Sequence, residues 1–163
     1  MSDIVKRVEE LMKLPQHLCN TCGKCCRMAT FKGGLTYEQV KKLAESMDED
    51  PVQVEGARDF LSIFVPYNST EEARKVEPEF VDETLKRLGK KDDEMSFFYC
   101  RYIGDNNLCM IHEDRPALCR MYPFPHEKTL YFKGCGFKEQ GEKNWAEIKK
   151  ILEDLEAKAN NCE

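Results

Sequence analysis

The segment Cys19-Asn20-Thr21-Cys22-Gly23-Lys24-Cys25-Cys26 constrains this chain more than any other, because it places four cysteines within eight residues. Five more cysteines follow, at Cys100, Cys109, Cys119, Cys135 and Cys162. A thiolate is a soft, anionic ligand that suits zinc, copper(I) and iron–sulfur clusters. An odd number of cysteines fits poorly with a closed disulfide framework, and adjacent cysteines do not readily bridge each other. The pattern therefore predicts a cysteine-ligated metal centre.

The spacing within this segment suits metal ligation. Two residues separate Cys19 from Cys22 and Cys22 from Cys25, so one loop can wrap a single ion or cluster. Gly23 supports such a tight path because glycine adopts positive φ without steric cost. Successive side chains of an extended backbone point to opposite faces. The sulfurs of Cys25 and Cys26 are therefore expected to serve different sites, or only one of them ligates.

The later cysteines extend the set of candidate ligands. Gaps of eight, nine and fifteen residues separate them, and none of these gaps is a metal signature alone. The predicted metal ligands are Cys19, Cys22, Cys25, Cys26, Cys100, Cys109, Cys119 and Cys135. Eight thiolates suit two four-ligand sites, or one cluster with four spare thiols, and the spacing leaves both arrangements open. We expect Cys162, next to the last residue, to lie outside the metal centre.

Basic residues accompany these cysteines. A site with four thiolates is anionic whether it holds zinc or a [4Fe–4S] cluster, and nearby cations offset that charge. Arg115 and Arg120 are the predicted cofactor-binding residues, and Lys24 lies beside the first cysteines. The alternative is that both arginines pair with surface carboxylates. The three histidines are expected to have surface or packing roles rather than to replace a cysteine; they are His17, His112 and His126.

Composition narrows the class of protein. The chain has 163 residues, 34% of them charged, and a net charge of −5, which argues against general nucleic-acid binding. Its apolar runs are too short to span a bilayer, and its first residues do not read as a signal peptide. We therefore expect a cytoplasmic protein, in which thiols stay reduced. Phosphate-binding glycine motifs are absent, and the pattern assigns no catalytic residue.

Periodicity predicts a single α+β domain over residues 1–163, with a small antiparallel sheet, surrounding helices and a cysteine-rich metal core. Helices are expected at 2–13, after the capping box Thr36-Tyr37-Glu38-Gln39, from Asp50-Pro51 through Phe64, near 80–88 and at 144–159. Residues 36–94 then form a helical insert. Aromatic residues at 95–103 predict a strand, Gly104-Asp105-Asn106-Asn107 predicts a turn, and 108–111 predicts the return strand. A third strand is expected at 129–133.

Two motifs in this chain resemble one known family. Cys19-x-x-Cys22-x-x-Cys25-Cys26 is similar to the hallmark of the CxxCxxCC (YkgJ-type) cysteine-cluster family. The run from Cys100 to Phe124, which contains Arg115-Pro116-Ala117-Leu118-Cys119-Arg120-Met121-Tyr122-Pro123-Phe124, resembles that family's second motif. The resemblance implies a small zinc- or iron-chelating protein, usually described as containing an iron–sulfur cluster. The insert at 36–94 and Cys162 lie outside both motifs.

Three functions follow as hypotheses. The favoured one is an iron–sulfur protein, with one or two [4Fe–4S] clusters, that serves in redox, electron transfer or an accessory role with a redox or protein partner. Eight candidate thiolates exceed what one structural zinc needs, although two zinc ions would use them all. The second hypothesis is a zinc-binding structural or protein-interaction module. The third is a cluster-assisted protein-modification enzyme or its accessory, since the resemblance includes modules fused to protein methyltransferase activity.

Overall fold

Within the residues that the structure describes, the chain consists of helices and one short antiparallel pair of strands, which confirms the α+β class. The structure is a computed structural model that describes residues 2–160, so Cys162 lies outside the described residues. The chain folds as two compact units. One contains the residues up to Asn20 and those from Cys119 onward, and the other contains Thr21–Leu118. The expectation of a single domain stays a prediction.

The Thr21–Leu118 unit carries most of the elements. In chain order these are α2 (Lys24–Arg27), α3 (Tyr37–Glu45), α4 (Pro51–Ile63), β1 (Phe64–Pro66), α5 (Thr70–Val76), α6 (Pro78–Leu88) and β2 (Phe98–Cys100). The other unit contains α1 (Ser2–Leu11), a 3-10 helix (Gln16–Leu18) and α8 (Lys138–Asn160). Helix α7 (Ala117–Arg120) covers the residues at which the chain passes from one unit to the other. No helix within residues 2–160 is long and apolar enough to cross a membrane.

Helix α3 begins where the sequence predicts it. The Thr36 hydroxyl accepts a hydrogen bond from the Gln39 amide at 3.2 Å, and the Gln39 side chain accepts one from the Thr36 amide at 2.9 Å. This reciprocal pair is a capping box, which satisfies amides that have no partner inside the helix. Helix α4 begins in a similar way, with the Asp50 carboxylate accepting from the Val52 amide at 2.9 Å. These local signals were sufficient to predict both helix starts.

The strand partners differ from those predicted. Strand β2 pairs antiparallel with β1, in the register Phe64↔Cys100, whereas the sequence pattern placed Phe64 in the preceding helix. The helix ends at Ile63 because Pro66 restricts the residue before it to extended backbone. The predicted partner at 108–111 makes a single bridge, Ile103↔Cys109, and no ladder.

The predicted third strand at 129–133 was wrong. This segment consists of turns and irregular backbone. The Thr129 amide bonds to the His126 carbonyl at 3.1 Å, and the Cys135 amide bonds to the Phe132 carbonyl at 3.0 Å. Both hydrogen bonds close local turns. They therefore use backbone groups that, in a strand, would pair with an adjacent strand. Strand propensity depends on such a neighbour and is a weak guide without one.

The core of the Thr21–Leu118 unit lies between α3, α4 and β2. Its central side chain is Phe98, which is fully buried and meets the ring of Phe60 edge-on at 5.0 Å between centroids. The backbone of Ala29 exchanges hydrogen bonds of 2.8 and 2.9 Å with Phe98. This pairing attaches the residues that follow α2 to the strand that carries Cys100. The cysteine-bearing segments of this unit are therefore held on its core.

In the unit of the chain ends, α1 packs against α8. Helix α8 begins at Lys138, six residues before the predicted start at 144. The buried Asn144 side chain donates a hydrogen bond to the Leu11 carbonyl at 2.7 Å, and Arg7 pairs with Glu147 on the surface. The last carbonyls of a helix have no acceptor role inside it, and this hydrogen bond satisfies the Leu11 carbonyl at the end of α1.

Candidate metal centre

The eight predicted cysteine ligands are divided between the two units. Cys22, Cys25, Cys26, Cys100 and Cys109 belong to Thr21–Leu118, and the other unit contains Cys19, Cys119 and Cys135. Cys100 is buried, Cys19 is exposed, and the remaining six are partly buried. None of the eight cysteines within the described residues forms a disulfide. No disulfide therefore excludes any of these sulfurs as a metal ligand once the thiol is deprotonated.

The loop before α2 approaches the Gly104–Leu108 turn very closely. Gly23 has φ +72°, in agreement with the sequence-based expectation, and a Cβ there would lie 2.7 Å from Asn107 Oδ1 and 2.9 Å from Asn107 Cβ. Thr21 also has positive φ, at +53°, a conformation rare for a β-branched residue. Glycine is therefore required at residue 23 both for its backbone angle and for the contact. This contact brings the segment of Cys22, Cys25 and Cys26 against the turn that precedes Cys109.

Arg27, the last residue of α2, stabilises the contact between the cysteine loop and the Gly104–Leu108 turn. Its Nε and Nη2 donate hydrogen bonds to Asn107 Oδ1 at 3.1 and 2.9 Å, and Nη2 also donates to the Gly104 carbonyl at 3.2 Å. Sequence reasoning missed both Arg27 and Asn107. The available signals were that Arg27 directly follows Cys26 and that Asn107 closes a Gly-Asp-Asn-Asn turn. Asn107 has φ +61°, which asparagine tolerates better than most residues.

Cys100 lies at the buried end of β2. Burial raises the pKa of its thiol, and the neighbouring Cys26 and Cys109 raise that pKa further. The backbone amides of Tyr102 and Ile103 act in the other direction by donating hydrogen bonds to the sulfur, the first at 3.4 Å. Amide hydrogen bonds to sulfur stabilise metal-bound thiolates and tune the potential of iron–sulfur clusters. Cys26, Cys100 and Cys109 thus share one electrostatic environment.

Cys26 has a thiol that deprotonates more readily than an ordinary cysteine, because its pKa is lowered. A hydrogen bond from Cys25 lowers the pKa of Cys26 to about 7, with help from the positive charges of Arg115 and Arg27 and against the effect of burial. A thiolate, not a thiol, is the form that binds a metal. Arg115, predicted from the sequence to bind the cofactor, therefore acts on a predicted ligand, while its Nε donates to the His112 carbonyl at 3.0 Å.

The donor chemistry of this cluster fits a thiolate-ligated metal. Soft sulfur donors, amides directed at sulfur and two arginines occur together in the Thr21–Leu118 unit. Over the described residues, no three Cys, His, Asp or Glu side chains converge tightly enough to hold an ion as they stand. Because a preformed metal site rarely exists in the unfolded chain, metal binding and folding are coupled. Binding of one ion by three of these side chains would require their sulfurs to lie closer together.

The second group of cysteines lies in the unit of the chain ends. A Cβ on Gly136 would overlap the Leu18 carbonyl oxygen, so the chain beside Cys135 packs directly on the chain beside Cys19. The Asn20 side chain donates to the Gly134 carbonyl at 2.7 Å and fixes the same approach.

Arg120 and Cys119 lie near the 3-10 helix of that unit. The Gln16 side chain donates to the Arg120 carbonyl at 3.0 Å, while the Arg120 side chain is exposed. The segments of Cys19, Cys119 and Cys135 are therefore neighbours. The identity of the ligands among the eight cysteines stays a prediction.

The histidine side chains have surface and packing surroundings. His126 lies against Trp145, with 5.1 Å between ring centroids, and its Nδ1 accepts a hydrogen bond from the Lys128 amide at 3.0 Å. His17 and His112 are exposed. Because Nδ1 of His126 is already used, that ring offers only its Nε2 to a metal.

Comparison with known families agrees with the motifs. The model of the CxxCxxCC family, described as "Putative zinc- or iron-chelating domain", matches residues 18–150. This match covers well over half of the chain and includes all eight predicted cysteine ligands. No curated protein and no solved structure matches the chain significantly.

Proposed function

The chain belongs to the CxxCxxCC family of zinc- or iron-chelating domains, and from this premise we propose that it is an iron–sulfur protein with a redox or electron-transfer role. The observation that carries the proposal is the shared environment of Cys26, Cys100 and Cys109. Amides directed at the Cys100 sulfur and the arginines near Cys26 would offset the negative charge of a thiolate-bound cluster.

The number of cysteines supports clusters over a single zinc ion. Four thiolates complete one [4Fe–4S] cluster or one structural zinc, so eight allow one or two clusters. We propose a cytoplasmic location, a compartment in which thiols stay reduced and can ligate a metal. The cluster, when bound, supplies one-electron chemistry. The protein supplies the ligands, the burial of Cys100 and the positive charge near Cys26.

A zinc-held interaction module is the second candidate. Exposed apolar side chains lie next to the cysteines of the second motif: Leu108 is 51% exposed, Met110 68% and Leu118 41%. A contiguous exposed apolar surface often marks a site that binds another protein, and Leu108 and Met110 directly flank Cys109 in the sequence. A structural zinc would hold such a surface in place without any redox chemistry.

Anaerobic purification followed by an absorption spectrum and analysis of iron, zinc and sulfide distinguishes the two candidates. The iron–sulfur proposal predicts a broad band near ~400 nm with iron and acid-labile sulfide in equal amounts. Cys26→Ser and Cys100→Ser are expected to lose this band, whereas the control Cys162→Ser keeps it. Zinc at one or two ions per chain with no visible band would refute the iron–sulfur proposal and support the interaction module.

A further inference from the structure

We propose that Arg27 is a positioning residue for the metal-binding cysteines, acting through the turn that contains Asn107. This inference rests on the proposed metal-binding function. Cys26 immediately precedes Arg27, and Cys109 lies two residues after Asn107. The hydrogen bonds between Arg27 and the turn therefore set the distance between two predicted ligands that are 83 positions apart in the sequence.

The geometry requires an arginine. The Arg27 guanidinium donates three hydrogen bonds, two to Asn107 Oδ1 and one to the Gly104 carbonyl, all between 2.9 and 3.2 Å. A guanidinium presents five donors in a planar fork, whereas an ammonium is a single point of charge on a flexible stem. Lysine at this position would therefore keep the positive charge but could not donate to Asn107 Oδ1 and the Gly104 carbonyl in the same geometry.

The turn that Arg27 contacts is itself well defined. The Asn107 amide donates to the Gly104 carbonyl at 3.1 Å, and the Gly104 amide donates to the Leu108 carbonyl at 2.9 Å. The Asn106 side chain accepts from the Leu108 amide at 3.2 Å. Because the turn is closed by its own hydrogen bonds, fixing Asn107 also restrains the position of Cys109.

The backbone of Arg27 is held independently of its side chain. Its carbonyl accepts a hydrogen bond from the Tyr67 hydroxyl at 2.5 Å, and its amide bonds to the Gly23 carbonyl at 3.0 Å. The next residue, Met28, is buried. Removal of the guanidinium alone is therefore expected to leave α2 folded while releasing the turn, which separates positioning from folding.

Arg101 offers a matched control in the same unit. It also directly follows a cysteine, Cys100, but its guanidinium donates to the Leu61 carbonyl at 3.0 Å, which is not part of the 104–108 turn. Substitution of Arg101 therefore removes one positive charge beside a predicted ligand and leaves the hydrogen bonds between Arg27 and the turn in place.

The test compares Arg27→Met, Arg27→Lys and Arg101→Met with the wild type, all purified anaerobically with their native metal. We measure the rate at which bound iron or zinc passes to excess EDTA in the folded protein. Loss of a group that orients metal ligands typically weakens metal binding by about 10–100-fold. We expect Arg27→Met to release metal at least about 10-fold faster, Arg27→Lys to release it faster than the wild type, and Arg101→Met to resemble the wild type.

A second variant covers the case in which Arg27→Met does not fold. Asn107→Gly keeps the positive φ and removes the acceptor, so it is expected to accelerate release as Arg27→Met does. Cobalt(II)-loaded samples add a readout of ligand geometry, because the thiolate–cobalt absorption bands should shift in the Arg27 and Asn107 variants and not in Arg101→Met.

Release rates equal to wild type in Arg27→Met or Asn107→Gly, or equal acceleration in Arg101→Met, overturn the inference. A wild-type protein that contains no metal refutes the proposed function itself, and this is seen before any variant is made.

Discussion

Gly23→Ala should be far more destabilising than an ordinary glycine-to-alanine change. Gly23 lies between two predicted ligands at φ +72°, and a Cβ there would meet three atoms of the Asn107 side chain at 2.7–2.9 Å. That side chain cannot easily swing away, because Arg27 holds its oxygen with two hydrogen bonds. The substitution therefore adds a steric overlap to a backbone conformation that alanine disfavours.

Two contributions give the expected magnitude. An L-residue in the left-handed region costs about 1–2 kcal/mol relative to glycine. Forcing an extra carbon into a filled space costs about 1–3 kcal/mol more. The free energy of unfolding should therefore fall by about 2–5 kcal/mol. Gly33 is the matched control, because its φ is +80° and a Cβ added there would have nothing within 4 Å. Gly33→Ala should lose only the first contribution, about 1–2 kcal/mol.

Urea unfolding under anaerobic, reducing conditions measures both variants, and metal content is determined on the same samples. Because the two variants share the backbone cost, the difference between them isolates the contact with Asn107. We expect Gly23→Ala to be less stable than Gly33→Ala by about 1–3 kcal/mol and to retain less metal. Equal destabilisation by the two substitutions would refute the close approach between the cysteine loop and the turn.

Three further predictions concern the scaffold. Thr36→Ala should lower the free energy of unfolding by about 1 kcal/mol because it removes the capping box, while Thr36→Ser should retain most of it, as urea unfolding would show. Phe98→Ala should cost about 3–5 kcal/mol in the same assay because Phe98 is fully buried in the core. The Arg74 guanidinium, 2.8 Å from Asp92, lowers the pKa of that carboxyl below its ordinary 3.8. The folded-state pKa is the lower one, so this pair contributes stability above the unfolded-state pKa and loses it as the pH falls through the folded-state pKa. The stability advantage of the wild type over Arg74→Met should therefore be largest near neutral pH and shrink below about pH 4.

Each of these predictions has an outcome that contradicts it. Equal stability of Thr36→Ala and Thr36→Ser would show that the hydroxyl does not cap α3. A loss under about 1 kcal/mol for Phe98→Ala would be too small for a ring at the centre of a core. Arg74 also pairs with Glu71 and Asp82, so a gap between wild type and Arg74→Met that stays constant from neutral pH into the acid range would mean that none of the three carboxylates contributes stability through Arg74.

Local chemistry explains what could be predicted from the sequence. The Thr36 capping box and the Asp50-Pro51 helix start depend on residues three or fewer positions apart, so the residue types that form them can be recognised in the sequence. The spacing of Cys19, Cys22, Cys25 and Cys26 identifies the family in the same way, and the family match confirms it. By contrast, the partner of β2 is Phe64–Pro66, a distant segment of the chain, and the aromatic pattern of 95–103 contains no information about it.

The α+β class, the metal-chelating family and the thiolate character of the candidate ligands could all be predicted from the order of residues, because ligand type and spacing are properties of the chain. Which cysteines share an environment, and what holds them there, became visible only in the folded protein. Arg27 and Asn107 are 80 positions apart, and their hydrogen bonds exist because the core around Phe98 brings α2 and the turn together. Contacts of that range depend on how the whole unit packs, so no local pattern of residues can specify them.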